Sequence, residues 1–289
     1  MRALEDLDAG AFTVVMATGI VGVGARLEGI APLADALLAL ACVSWLVLAA
    51  ILRERSVRSF ALVAGTAVVG VDFLLLGQGE LALALWSLAA ALWLAVAAAI
   101  RLEAADALLT VVATESLAVL GATLDRHHLA PLGEAAIGIW ALGLALYPLV
   151  AGRTIRSASR ERNFNPTLWI VMGALAIATL AASEILLDRR ALDSDVALAT
   201  WAAASSVIPF LVAAELRVRS WRYEVARWSF VFPLGMYGVA SHMLGAADGL
   251  ASLRDLGTVF FAVALAAWTA TAVGLARRYM PIAWNPEST

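Results

Sequence analysis

The sequence predicts an all-α integral membrane protein. It would have ten transmembrane helices, built as five helical hairpins repeated in parallel, with an inner ring of odd helices around a pore and an outer ring of even helices. Three observations predict it. Of the 289 residues, 62% are hydrophobic and 15% charged, with a mean hydropathy of +0.87, whereas a soluble domain is roughly half apolar and a quarter charged. The apolar residues gather in runs of about 20, the length that crosses a bilayer. A short phrase also recurs at regular spacing along the chain. Residues 1–289 read as a single transmembrane domain.

Cutting the chain at charge clusters and Gly/Pro turns gives spans near 10–25, 31–52, 57–77, 80–101, 106–124, 130–152, 166–187, 193–216, 226–246 and 251–278. Helices are required because backbone polar groups in a bilayer must be satisfied internally, and runs such as Leu81 to Ile100 lack the alternation of a β-barrel strand. The first segment is preceded by Glu5, Asp6 and Asp8, where a signal peptide needs a positive start, so it reads as helix 1. The tails and the loops after even helices hold 15 arginines: Arg2, Arg53, Arg55, Arg58, Arg101, Arg153, Arg156, Arg160, Arg162, Arg217, Arg219, Arg222, Arg227, Arg277 and Arg278. The opposite loops hold five: Arg26, Arg126, Arg189, Arg190 and Arg254. The positive-inside rule then puts both termini in the cytoplasm and the protein in the cytoplasmic membrane. Trp86, Trp169, Trp221 and Trp228 near span ends read as interfacial anchors, and the deeper Trp93 as packing.

Several chemistries are excluded. One cysteine, Cys42, gives no internal disulfide, and the absence of lysine removes Schiff-base catalysis. No GxSxG, HExxH, CxxC or Walker pattern occurs, so no hydrolase, metalloprotease or ATP-driven pump is supported, and no cofactor is expected. The basic loops set topology and touch anionic lipid rather than nucleic acid. His127-His128 beside Asp125 have metal-ligating side chains but read as a solvated loop, so no metal site is expected.

The repeat is the most informative feature. Val15-Met16-Ala17-Thr18-Gly19, Val63-Ala64-Gly65-Thr66-Ala67 and Val111-Val112-Ala113-Thr114-Glu115 place threonines 48 residues apart. Steps of 60 then reach Val171-Met172-Gly173-Ala174 and Val231-Phe232-Pro233-Leu234. Odd helices also carry the buried ionisable set Asp72, Glu115, Glu184 and His242, while even helices are Leu/Ala-rich; Glu134 and Glu215 fall at span ends. Polar groups in every second helix imply five inner helices around a path.

At this point the residues resemble a known family. Phe12-Thr-Val-Val-Met-Ala-Thr-Gly-Ile-Val21, Asn165-Pro-Thr-Leu-Trp-Ile-Val-Met-Gly-Ala-Leu-Ala-Ile177 and Trp228-Ser-Phe-Val-Phe-Pro-Leu-Gly-Met-Tyr237 are similar to the first, seventh and ninth helices of the tellurite-resistance/dicarboxylate transporter family. That family includes fungal malate permeases, sulfite pumps and plant slow anion channels. The resemblance implies a pore within each protomer, a homotrimer, and a phenylalanine beside a proline plugging the pore, here Phe232-Pro233. The inner helices have few prolines, so bends would come from Gly19, Gly22, Gly65, Gly70, Gly173 and Gly235.

Ionisable residues inside a bilayer are functional hypotheses by default. Glu115 falls near mid-membrane and Asp72, His242 and Glu184 in the outer third, where they could take up protons as an anion passes. Thr18, Thr66 and Thr114 could ring the path with hydroxyls that hold an anion weakly; no arginine lies mid-span to supply fixed positive charge. The reading is transport of a small anion, such as a C4-dicarboxylate, sulfite, tellurite or a similar oxyanion, linked to protons. The alternatives are a passive channel gated by Phe232, a membrane-embedded enzyme acting on a lipid or quinone, and a sealed sensor.

Overall fold

The computed structural model describes residues 9–56, 59–99, 107–158, 165–189, 192–217 and 223–279. Ten α-helices follow in chain order: α1 (Thr13–Leu27), α2 (Ala31–Ser56), α3 (Phe60–Leu75), α4 (Gly79–Ala99), α5 (Ala107–Arg126), α6 (Gly133–Ala158), α7 (Trp169–Arg189), α8 (Ser194–Leu216), α9 (Trp228–Ala247) and α10 (Ala251–Tyr279). Eight are long and apolar enough to cross a membrane; α1 and α3, at 15 and 16 residues, are shorter than the spans expected there. A turn of 3-10 helix at Ala9–Phe12 extends α1, and single 3-10 turns lead into α7 and α9. The residues of several arginine clusters, including Arg2, Arg58, Arg101, Arg160, Arg162, Arg219 and Arg222, lie outside the described residues.

Local sequence explains the boundaries. Ser59 accepts the Ala61 N–H at the start of α3, and Asp193 caps α8 the same way through Asp195. Asn165 caps the turn before α7 by accepting from the Thr167 N–H, with Pro166 following where its missing N–H costs nothing. Four of the five odd-to-even hairpins turn on residues with positive φ, at Gly29, Gly77, His128 and Gly249. Glycine tolerates this conformation freely, whereas His128 adopts it against its Cβ.

The odd helices form a closed ring. α1 packs on α3, α3 on α5, α5 on α7, α7 on α9, and α9 back on α1, while each even helix lies outside the odd helix that precedes it. Burial separates the two classes: the α5 span is 100% buried and those containing α7 and α9 are 89% and 72% buried, against 11–28% for the five even spans. The even helices therefore present apolar side chains outward, as a lipid-facing sheath must. Glycines let the inner helices approach closely. A Cβ on Gly19 would lie 2.6 Å from Val68 Cγ1, one on Gly173 2.9 Å from Pro233 Cγ, and one on Gly235 2.8 Å from Ile20 Cγ2. Those contacts fall on the α1–α3, α7–α9 and α9–α1 seams.

Candidate functional site: an axial path through the inner ring

A cavity lies inside the ring and is lined by all five odd helices: Ile20 and Val23, Ala67, Val68 and Val71, Ser116 and Val119, Ile177 and Leu180, and Met236. Ile20, Val68, Ser116, Ile177 and Met236 follow one another at 48, 48, 61 and 59 residues. The repeat thus sets five side chains at one depth, within one residue of the sequence alignment. The cavity measures about 20 Å³ as space for the centre of a water molecule, room for roughly one water. Its lining is apolar except for Ser116, whose hydroxyl donates to Val112 O at 2.8 Å.

One helical turn nearer the start of each inner helix, four residues back, stand Met16, Ala64, Val112, Gly173 and Phe232. Positions i and i+4 share a helix face, so Phe232 lies on the same stripe as Met236. Four of the five residues in this layer are compact or flexible, and Phe232 is the one rigid, bulky side chain. It is 1% exposed. Pro233 sits inside α9 and packs on Gly173.

The threonines face the other way. Thr18, Thr66 and Thr114 stand two residues before the lining positions, which at about 100° per residue turns them roughly 160° from the axis. There they receive tryptophans of the outer ring: Trp268 Nε1–H donates to Thr18 Oγ1 at 3.1 Å, Trp45 to Thr66 at 2.9 Å and Trp93 to Thr114 at 2.9 Å. Thr66 and Thr114 spend their own protons on Leu62 O and Thr110 O. The pattern continues with Trp140 to Ala178 O and Trp201 to Ser241 Oγ. The axis therefore carries no ring of threonine hydroxyls in this structure, because those hydroxyls clip α1, α3 and α5 to the sheath. Trp93 is one of these latches. Trp169 and Trp228 are buried within the protein, donating to Glu215 Oε2 and Tyr223 Oη; Trp221 lies outside the described residues. Glu215 is likewise buried and paired with Arg227.

The ionisable residues divide. Glu115 is fully buried on the α5–α6 seam, pressed on Gly143, where an added Cβ would lie 2.8 Å from its Cδ. Asp72 is fully buried against α1, where Cβ atoms on Gly19 and Gly22 would lie 3.3 and 3.5 Å from its two oxygens. Neither carboxyl has a hydrogen-bond partner among the described residues. His242 Nδ1 is 3.7 Å from Glu28 Oε1, which also accepts from Thr258 at 2.8 Å, so it faces the ends of α1 and α10. These three do not converge. Glu184 stands seven residues past the lining Ile177 and accepts from Arg126 Nε at 2.8 Å, while Asp72, four past the lining Val68, turns its carboxyl to α1. Sequence reasoning missed Arg126, Gly143 and four of the five latch tryptophans. The signal for two latches was present: Trp45–Thr66 and Trp93–Thr114 are both 21 apart. Among the described residues no three His, Cys, Asp or Glu side chains are grouped as metal ligands.

Residues 6–276 match the family described as SLAC1, voltage-dependent anion channel. The chain belongs to the SLAC1 family. It is accordingly a multi-pass membrane protein of an anion-transporting family, with the ring and sheath expected of that fold. The SLAC1-family chain is also 37% identical over 151 residues to uncharacterised membrane proteins of two Mycobacterium tuberculosis strains, CDC 1551 and H37Rv. That match covers 46% of this chain and 75% of each relative.

Proposed function

We propose that the protein carries small anions, of the C4-dicarboxylate, sulfite, tellurite or similar oxyanion class, along the axis of its inner ring, and that Phe232 is the closed barrier. One observation carries this reading: the axial cavity touches all five odd helices, and Phe232 stands one helical turn before its lining residue Met236. The cavity has no room for an oxyanion, so this conformation is shut, and opening requires the ring of Phe232 to leave the axis. The apolar lining suits weak, rapid passage rather than tight binding. The arginine count supports termini in the cytoplasm and residence in the cytoplasmic membrane, and the family resemblance supports a homotrimer.

A second reading, proton-linked transport, is favoured by Glu115 and Asp72. A buried carboxyl without a partner costs roughly several kcal/mol, and such residues within a bilayer are retained for function. An enzyme acting on a lipid or quinone has less support, since Glu115, Asp72 and His242 occupy separate seams. The test is anion uptake into proteoliposomes by wild type, Phe232→Ala and Glu115→Gln, with and without a pH gradient. Uptake raised in Phe232→Ala and indifferent to pH supports the gated conduit. Uptake that follows the gradient and collapses in Glu115→Gln supports the proton link. No flux in any variant overturns both.

A further inference from the structure

We infer that Arg126 is an anion-binding residue at the far mouth of the axial path, aimed by Glu184. The inference rests on the conduit reading and adds to it a site with a stated ligand chemistry. Seven residues are almost two full turns, about 10 Å along a helix and within about 20° of the same face. Thr123 and Glu184 stand seven residues past the lining residues Ser116 and Ile177, and Arg126 stands seven past Val119. On the other inner helices the residues seven past a lining position include Leu27, Leu75 and Met243, and Leu187 on α7. At that spacing from a lining residue, Arg126 is the one cation among the described residues.

Its bonding leaves it available. Arginine has five N–H donors; the Nε–H goes to Glu184, and the terminal nitrogens make no hydrogen bond to the described residues and are not buried. The Arg126 side chain is 27% exposed against 6% for Glu184, so a buried carboxylate holds a guanidinium that solvent can reach. His127 does not compete as a cation: burial, then Arg126, then His128, push its imidazole below the ordinary value. Asp125 accepts from the Leu132 N–H and, with Asp188 and His128, lines a hollow of about 430 Å³. A guanidinium fork fits two oxygens of a planar anion, such as a carboxylate or nitrate. It also gathers anions at the mouth, while Glu184 keeps the binding weak enough for release.

The test uses the Phe232→Ala protein in planar bilayers, with nitrate varied on one face at a time. Because Arg126→Gln alone would leave Glu184 buried without a partner, the decisive variant is Arg126→Gln/Glu184→Gln. The half-saturating nitrate concentration should rise about five-fold at one face only, with maximal flux retained. Arg126→Lys should give a smaller rise, and Glu184→Gln alone a fall. If conduction persists and half-saturation is unchanged at both faces, the site is refuted while the conduit stands. If Phe232→Ala conducts no nitrate, the conduit fails, and the melting temperature of the purified protein decides the site. A nitrate-dependent increase in wild type that disappears in the double variant supports it, and an equal or absent shift in both overturns it.

Discussion

Gly173→Ala tests whether the seam beside Phe232 sets the width of the barrier. The new Cβ would stand 2.9 Å from Pro233 Cγ, 3.0 Å from its Cβ and 3.4 Å from its Cα. Ordinary carbon–carbon contacts lie at about 3.5–4.0 Å, so the closest overlap is roughly 0.6–1.1 Å. A flexible side chain would swing aside, but the proline ring is tied to its own backbone nitrogen. α7 and α9 must therefore separate at the Phe232 layer. Overpacking of this kind costs about 1–3 kcal/mol. Unfolding in mixed detergent micelles should register that loss, and anion flux should rise above wild type while staying below Phe232→Ala. Adding Pro233→Ala removes the nearest atom and should recover part of the stability. A Gly173→Ala protein as stable as wild type, or equally destabilised with and without Pro233, would refute the argument.

Three further outcomes follow from the same contacts. In a cycle of Trp93→Phe and Thr114→Val, the latch should appear as a coupling of about 0.6 kcal/mol, the usual worth of an interhelical hydrogen bond in a membrane protein; additive losses would count against it. Gly143→Ala should destabilise by about 1–3 kcal/mol, and by less than half as much in a Glu115→Ala background, measured by the same unfolding titration. His128→Gly should leave stability unchanged or raise it by up to about 1 kcal/mol, since glycine relieves the left-handed backbone; a clear loss would assign the imidazole a bonding role.

Ring, sheath and repeat were legible because each leaves a periodic mark. Small residues recur at steps of 48 and then 60 residues, and the inner helices are polar where the outer ones are Leu/Ala-rich. The facing of individual side chains was not legible at that grain. Thr18, Thr66 and Thr114 share a depth, but depth says nothing about rotation, and two residues separate a side chain on the axis from one on the sheath. Polarity suggested the axis for them; the indole donors of Trp45, Trp93 and Trp268 drew them outward instead. Glu115 and Asp72 escaped for a related reason, since the glycines that make room for them lie on other helices. Arg126 was counted as a loop charge, because its spacing from Val119 carries meaning only once Val119 is seen to line the cavity.

The latches bear on how the path could open. Each even helix is joined by its hairpin to one inner helix and by a tryptophan to the next, and Trp268 closes the circuit from α10 back to α1 across 250 residues. Widening the ring would strain several of these bonds and the glycine seams together, whereas moving the Phe232 side chain breaks none of them. Opening should therefore be a side-chain event within a nearly fixed ring. Trp268→Phe separates the two mechanisms. It removes the bond that closes the circuit at a cost of about 0.6 kcal/mol, yet it should leave flux unchanged both alone and combined with Phe232→Ala. A Trp268→Phe protein that conducts with Phe232 intact would show instead that the ring opens by loosening, and the barrier would then belong to the sheath as much as to Phe232.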